Sequence, residues 1–382
     1  QEKAVIKVCL DGMPLPKSEN RPPVNLSLVI DRSGSMSGDK IEKAREAALE
    51  ALSRLAADDV LSIVAYGSGV ETLVPAQRVG DGRRIAAEIR KIHADGSTAL
   101  FGGVSQGAAE VRKHIEDRRY VHRVILLSDG QANIGPSSPE DLGRLGASLM
   151  KEGISVSTVG VGLGFNEDLM TRLAQRSDGN TYFVESSDDL PRIFAGELGD
   201  VLNVVARRVV VEVTFPKGVK PIGFVGREGT IAGQNAQVSL NQVYGGQEKF
   251  ALIEVEVPAS DDGATLELAT ARVTYDDALT NRIASREARR SVSFSKQQEV
   301  VVKSANLHVQ NEYAANMIAV TKDRAIELVD ARKTEAAARE MRVAAAAMRT
   351  TAAKYNNVAL AVLAEKQEVQ ACRLERGGLR NQ

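Results

Sequence analysis

Tryptophan is absent from the 382 residues, aromatic side chains make up only 4%, and cysteine occurs twice. So few aromatics leave few platforms on which nucleic-acid bases could stack. Cys9 and Cys372 stand near opposite ends of the chain and neither has a partner at metal-ligand spacing, so neither a zinc site nor a disulfide scaffold is supported. An excess of one charge is missing too. With 49 basic and 50 acidic residues, the chain lacks the basic surface that nucleic acid or an anionic membrane would require. No run of about 18 apolar residues exists to span a bilayer. A Walker-type glycine loop, an H-E-x-x-H pair and a G-x-S-x-G elbow are all absent, which removes the commonest enzyme signatures. The first residue is Gln1, which suits removal of a signal peptide and a trimmed chain equally. The expectation adopted is an extracytoplasmic location, periplasmic, secreted or at the cell surface.

What the chain does hold, 43% hydrophobic and 26% charged residues, is the composition of a globular protein with room for ~2 to 3 domains. Between Pro22 and about Asp200, short apolar runs at 24–30, 60–66, 121–128, 154–161 and 180–184 alternate with helical spacing. Ile41, Ala44, Ala48, Leu52 and Leu55 show that spacing, and similar patterns cover 83–92, 99–116, 139–152, 166–176 and 188–202. Near-continuous apolar strands separated by helices predict a mostly parallel, doubly wound α/β sheet, with 70–74 as an antiparallel edge strand.

After about 203 the period becomes two, as in Val209, Val211, Val213 and Phe215 or in Ala251, Ile253, Val255 and Val257. Leu266 to Tyr275 carries a register shift of the kind a β-bulge makes, and Val292 with Phe294 suggests a last short strand. Ala4, Ile6, Val8 and Leu10 repeat the same pattern before the α/β region. The expected fold is therefore multidomain: an α/β Rossmann-like domain at 22–202, inserted into an antiparallel β-sandwich made of 1–21 and 203–298. A C-terminal α-helical region at 299–382 follows. From 304 to 376 there is neither glycine nor proline, and a break near Tyr355, Asn356 and Asn357 predicts packed helices.

In such a sheet, ligands sit beyond the carboxyl ends of strands where the strand order reverses. Asp31 ends the first core strand, followed by Ser33 and Ser35, with Gly34 expected to relieve crowding. Asp129 ends the strand VILLS, with Gly130 turning the chain, and Thr98 precedes a helix at the same edge. These five residues offer only oxygens, the donor set of a hard cation such as Mg²⁺, with Mn²⁺ or Ca²⁺ as alternatives. Two carboxylates and three weakly donating hydroxyls would leave the ion electron-poor and attractive to a carboxylate. The positive end of the helix starting near Gly38 points to the same place. The bland alternative is that the serines and aspartates merely cap turns and helices. His93, His114, His122 and His308 are scattered and suit surface or core roles, and the Asn25 sequon lies in a buried strand. The glycines at 160, 162 and 164 fail the spacing of a dinucleotide loop, and Arg118 with Arg119 suits solvated surface.

D-x-S-x-S after a buried strand, a threonine in a G-S-T-A-L loop and L-L-S-D-G after a later strand together resemble the von Willebrand factor A domain with its metal-ion-dependent adhesion site. The resemblance covers roughly residues 22–200, and VGVGLGFNEDLMTRLAQRSDGNTYFV looks like the end of that domain. Within the family the sequence is similar to the inter-α-trypsin inhibitor heavy-chain type and to bacterial proteins carrying one such domain; its insertion into a sandwich resembles integrin β subunits. Integrin β chains carry an acidic pair after the last serine for a second metal. Here only Asp39 stands there, followed by Lys40, which argues against an adjacent second ion. The resemblance implies a non-enzymatic adhesion module whose metal bridges to an Asp or Glu of a protein partner. Two other readings stay open: a scaffold that binds through its C-terminal helices around a structural metal, and an Mg²⁺-dependent hydrolase.

Overall fold

The computed structural model describes residues 2–14, 21–129, 132–162 and 166–375. Gly130, Gly164, residues 15–20 of the N-terminal segment and 376–382 of the helical region lie outside the described residues. The chain opens with β1 (Glu2–Asp11) and proceeds through β2 (Val24–Asp31), α1 (Asp39–Arg54), β3 (Val60–Tyr66), β4 (Val70–Arg78), α2 (Arg83–Arg90), α3 (Leu100–Arg112) and β5 (Val121–Ser128). There follow α4 (Pro139–Lys151), β6 (Ser155–Val161), α5 (Glu167–Arg176), β7 (Thr181–Val184) and α6 (Leu190–Val201).

These elements after β1 form the α/β unit. Its sheet runs β4-β3-β2-β5-β6-β7, with β4 antiparallel at the edge and the other five parallel. Every residue of β2, β3, β5 and β6 is buried, as expected where helices cover both faces. On one face Leu26, Leu28 and Ile30 pack with Ile41, Ala44 and Ala48 of α1, Ile85 and Ile89 of α2, and Phe194 and Leu198 of α6. On the other, Val29, Val64 and Tyr66 pack with Val104 and Ala108 of α3, Leu142 of α4 and Leu173 of α5.

Because β3 lies to one side of β2 and β5 to the other, the strand order reverses at β2, and a crevice opens beyond Asp31. Helix α3 sits unusually close to that point. A Cβ built on Gly107 would stand 2.4 Å from Val29 Cγ2, and one on Gly103 would stand 2.6 Å from Tyr66 Cδ1. The two glycines let the helix backbone rest directly on β2 and β3, which fixes the loop carrying Thr98 at its N-terminal end.

The rest of the chain comprises β8 (Val204–Thr214), β9 (Lys220–Val225), β10 (Thr230–Ala232), β11 (Asn235–Tyr244), β12 (Glu248–Val257), β13 (Thr265–Asp277) and β14 (Ile283–Ser293), then α7 (Gln298–Ser304), α8 (Leu307–Asp330), α9 (Thr334–Tyr355) and α10 (Val358–Glu375). The strands make two antiparallel sheets, β1-β12-β9 and β10-β11-β8-β13-β14. β1 pairs with β12 along its length, from Glu2 opposite Val257 to Asp11 opposite Glu248. Ile6, Ile253 and Val255 of the first sheet share an apolar cluster with Val209, Val211, Val238 and Leu240 of the second.

The register shift in β13 falls between Glu267 and Ala269, with a second opposite β8. The last strand is not the short one expected around Val292 and Phe294 but the eleven residues of β14. Most of its side chains are exposed, so no apolar alternation marks it. Helices α8, α9 and α10 pack through Ala325, Met341 and Leu374, and through Ala314, Met348 and Leu360. Their two breaks come at left-handed residues, Arg332 (φ 58°) and Asn356 (φ 52°), of which the sequence marks the second. Among the described residues no helix is long and apolar enough to cross a membrane.

Candidate functional site

Asp31 stands at the end of β2, where the apolar run gives way to small polar residues, and its carboxylate is fully buried. Oδ1 accepts from the backbone N–H of Ser33 at 2.8 Å, and Oδ2 accepts from Ser128 Oγ at 2.7 Å and Tyr66 OH at 3.4 Å. Residues 34–36 form a single 3-10 turn before α1. That turn carries the two serine hydroxyls to within 3.0 Å of each other, Ser33 buried and Ser35 exposed. Ser35 Oγ then donates to Asp129 Oδ1 at 2.7 Å, closing a chain of oxygens from the end of β2 to the end of β5. Residues 94 positions apart in sequence thus meet at the crevice.

Thr98 is buried and reaches the same edge through its backbone. The loop before it is bound to the serine loop by Gly34 N–H to Gly96 O at 2.8 Å and by Asp95 N–H to Arg32 O at 2.6 Å. The loop beyond Asp129 is bound to Thr98 reciprocally: Thr98 N–H donates to Asn133 Oδ1 at 2.8 Å, and Asn133 N–H donates to Thr98 O at 3.1 Å. Ser33, Ser35 and Asp129 are therefore joined through side chains, the Ser33 backbone N–H ties in Asp31, and Thr98 is held beside them by its backbone. The expected role of Gly34 is not seen, since a Cβ there would meet only Gly96 O, at an ordinary 3.5 Å. The crowded glycine is Gly96, which adopts φ 85° and would drive a Cβ to 2.5 Å from Ser68 Oγ.

Sequence reasoning noted Lys40 only as arguing against a second ion and missed its pairing with Asp129. Its Nζ forms an ion pair with Asp129 Oδ2 and donates to the Ser35 carbonyl at 3.3 Å, so an ammonium stands at the rim of the oxygen cluster. A signal for it exists: a lysine in the first turn of a helix opposes the helix dipole and calls for a carboxylate partner. Burial holds the Asp31 carboxyl above its ordinary pKa, partly offset by the bonds from Ser33 and Ser128, and the neighbouring Asp129 charge pushes the same way. The site thus concentrates negative charge, all of it on oxygen. A donor set of two carboxylates and three hydroxyls fits a hard divalent cation and offers nothing to a soft one.

Elsewhere, His122 is buried, while His93 and His308 are exposed. Asn25 is buried, its amide donating to Val111 O at 2.8 Å. Cys9 is exposed and its Sγ lies near carboxylates of Asp11 and Glu248, a grouping that sequence spacing did not suggest.

Comparison with known proteins gives the same frame. Residues 25–196 match the family model of the von Willebrand factor type A domain. The chain is 29% identical over 270 residues to the uncharacterized protein sll0103 of Synechocystis, covering 68% of this chain and 63% of that one. It is 29% identical over 198 residues to inter-alpha-trypsin inhibitor heavy chain H3 of Mus musculus, covering 50% of this chain but 22% of that one. The matches thus span less than two thirds of these relatives. A solved structure of a von Willebrand factor type A protein from Catenulispora acidiphila superposes with a TM-score of 0.72 over 98% of this chain and 89% of that chain; at 17% identity this shows a shared fold. The α/β unit of this protein is accordingly a von Willebrand factor type A domain, carried in a chain that adds two antiparallel sheets and a set of packed helices.

Proposed function

We propose that the protein is a non-enzymatic, divalent-cation-dependent protein-binding module. Asp31, Ser33, Ser35, Thr98 and Asp129 would hold the ion, with Mg²⁺ as the first choice and Mn²⁺ or Ca²⁺ as alternatives, and a partner's Asp or Glu would complete its shell. The observation that carries this reading is the bond from Ser35 Oγ to Asp129 Oδ1, which brings the two distant motifs to one oxygen-only cluster. The ion would supply a fixed positive charge for a carboxylate; the chain supplies oxygens and a rim left open at the exposed Ser35.

The same proposal takes residues 22–202 as a domain inserted into a sandwich of 1–21 and 203–298, followed by the helical region 299–382. The pairing of β1 with β12 supports it, because strands on either side of the α/β unit in sequence become neighbours. An extracytoplasmic location belongs to the proposal and is tested by cell fractionation.

The direct test is calorimetric titration of the chelator-stripped chain with Mg²⁺ and Mn²⁺, together with partner capture with and without chelator. One saturable site that is lost in Asp31→Ala and Asp129→Ala, with capture lost alongside it, supports the reading. Capture that survives both chelation and Asp129→Ala moves the binding to the C-terminal helices. Turnover of generic phosphoesters that needs Mg²⁺ and Asp31 replaces the proposal with a hydrolase.

A further inference from the structure

A second place in the molecule gathers charge of the opposite sign, at the other end of β5 from the oxygen cluster. Where β8 meets the loop before β5, a cavity of about 250 Å³ is lined by Arg118, Arg119, Arg207, Arg208, Asp276, Asn281 and Ile283. A smaller one adjoins it, sharing Arg118, Arg207 and Arg208 and reaching His122.

Consecutive residues of a strand normally face opposite sides of the sheet, so Arg207 and Arg208 should not line the same space. They do because β8 is bulged there. Against β13, Val210 pairs with Thr274 and Arg207 with Asp276, so β8 spends three steps where β13 spends two. Arg208 takes the extra step in a left-handed conformation (φ 46°), which is uncommon for a residue with a long side chain. The bulge thereby turns two neighbouring arginines onto one cavity.

The charges there are only partly answered. Arg119 is engaged by Asp117, and Arg208 by Asp276. Arg207 is 4% exposed and bonds Asn281 Oδ1 at 2.8 Å and the Arg119 carbonyl. Among the described residues neither Arg207 nor Arg118 has a carboxylate partner, and the buried Nε of Arg207 has no hydrogen-bond partner. His122 Nε2 is buried and unpartnered as well. Its Nδ1 lies 3.1 Å from the amide nitrogen of Asn25, which can only donate, so in the neutral ring Nε2 carries the proton. Burial, then the neighbouring Arg208, lowers the pKa of Arg207 to about 10; burial, followed by Arg208 and Arg207, lowers that of His122 to about 4. Burial is the larger cause in both cases, and Asp117 acts against it on both groups, with Asp277 also acting on Arg207.

We propose that this junction binds a tetrahedral oxyanion of the phosphate or sulfate class, held by Arg207, Arg208 and the exposed Arg118 at the mouth. Arginine forks match such oxyanions. The cavity is smaller than a typical drug-sized pocket and suits an ion with its waters.

The test uses the full chain in chelator, so that it is independent of the divalent-cation site. Inorganic phosphate, sulfate and glycerol phosphate are titrated by calorimetry and by thermal unfolding, against chloride at matched ionic strength. One saturable site for at least one of the three is expected, weakened at least tenfold by Arg118→Ala and by Arg207→Gln. Arg118 is exposed, so its variant keeps the test valid should Arg207→Gln fail to fold. Glycerol phosphate bound as tightly as phosphate points to an ester-bearing ligand, and weaker binding points to the free ion. The proposal is overturned if chloride stabilises equally, if none of the three anions binds, or if Arg118→Ala binds like the parent.

Discussion

Lys40 and Asp129 form an ion pair across the mouth of the oxygen cluster, the lysine reaching back from the first turn of α1 to the carboxylate at the end of β5. The Asp129 side chain is fully buried, whereas that of Lys40 is 35% exposed. The pair joins a group that cannot leave to one that can. An ammonium on Asp129 Oδ2 neutralises a charge that a divalent ion would need, so Lys40 and the proposed ion would compete for the same carboxylate.

Removing the competitor is therefore expected to tighten cation binding. Lys40→Gln should raise Mg²⁺ and Mn²⁺ affinity several-fold in calorimetric titration. In chelator the same variant should be less stable than the parent, by ~1 kcal/mol after allowance for the exposure of the lysine, and the ion should restore the difference. Unchanged affinity with unchanged stability would show the ion pair to be incidental.

Asp31 and Asp129 contribute differently, and their amide variants should separate. Asp31 is tied by the Ser33 N–H and the hydroxyls of Ser128 and Tyr66, and burial holds its carboxyl above the ordinary range. Asp31→Asn removes a charge that burial already disfavours, so the chelated protein should keep its thermal stability or gain some. Asp129→Asn strips Lys40 of its partner and should lose stability in chelator. Both should abolish the stabilisation that Mg²⁺ gives the parent, a comparison readable from one set of melting curves.

The junction between the α/β unit and β11 makes a harsher prediction. Arg123 of β5 and Glu197 of α6 are both fully buried, 3.5 Å apart. Arg123 donates to Ser157 Oγ at 2.9 Å, Gln242 Oε1 at 2.6 Å and the Tyr244 hydroxyl. Glu197 accepts from Ser157 at 2.5 Å, Tyr182 at 2.8 Å and Asn180 at 2.9 Å. Glu197→Ala leaves a buried guanidinium without its carboxylate, which should cost about 3–5 kcal/mol in urea unfolding. A loss under 1 kcal/mol would mean that water reaches Arg123.

What could be read beforehand follows from where the side chains point. Asp31, Ser33, Ser35, Thr98 and Asp129 were legible because each interrupts an apolar run or precedes a helix, and covered strands announce themselves by continuous burial. Lys40 was not, since no spacing in the chain names a partner 89 residues away. Strand β14 was hidden because its exposed Arg286, Arg289 and Arg290 erase the two-residue period. Strand β11 starts with that period in Ala236, Val238 and Leu240, then loses it where Asn241 and Gln242 turn to bond Ser155 and Arg123. The polar residues at this junction are buried by another unit of the fold, and a sequence pattern describes only the unit it belongs to.

Acid should weaken the protein through His122. Its ring is buried at the start of β5, with Arg208, Arg207 and His114 opposing a proton and Asp117 favouring one, and its pKa falls from 6.5 to about 4. Above pH 6.5 the ring is neutral in both folded and unfolded chains and the term vanishes. Between pH 6.5 and about 4 the unfolded chain takes up a proton that the folded one refuses, so stability falls with pH. Each pH unit in that window costs up to about 1.4 kcal/mol, giving a total loss near 3 kcal/mol before the folded ring also protonates. His122→Gln retains an acceptor for Asn25 and cannot titrate. Urea unfolding from pH 7 to 4 should therefore fall less steeply in the variant by about that total, and parallel curves would place water or an anion beside the ring.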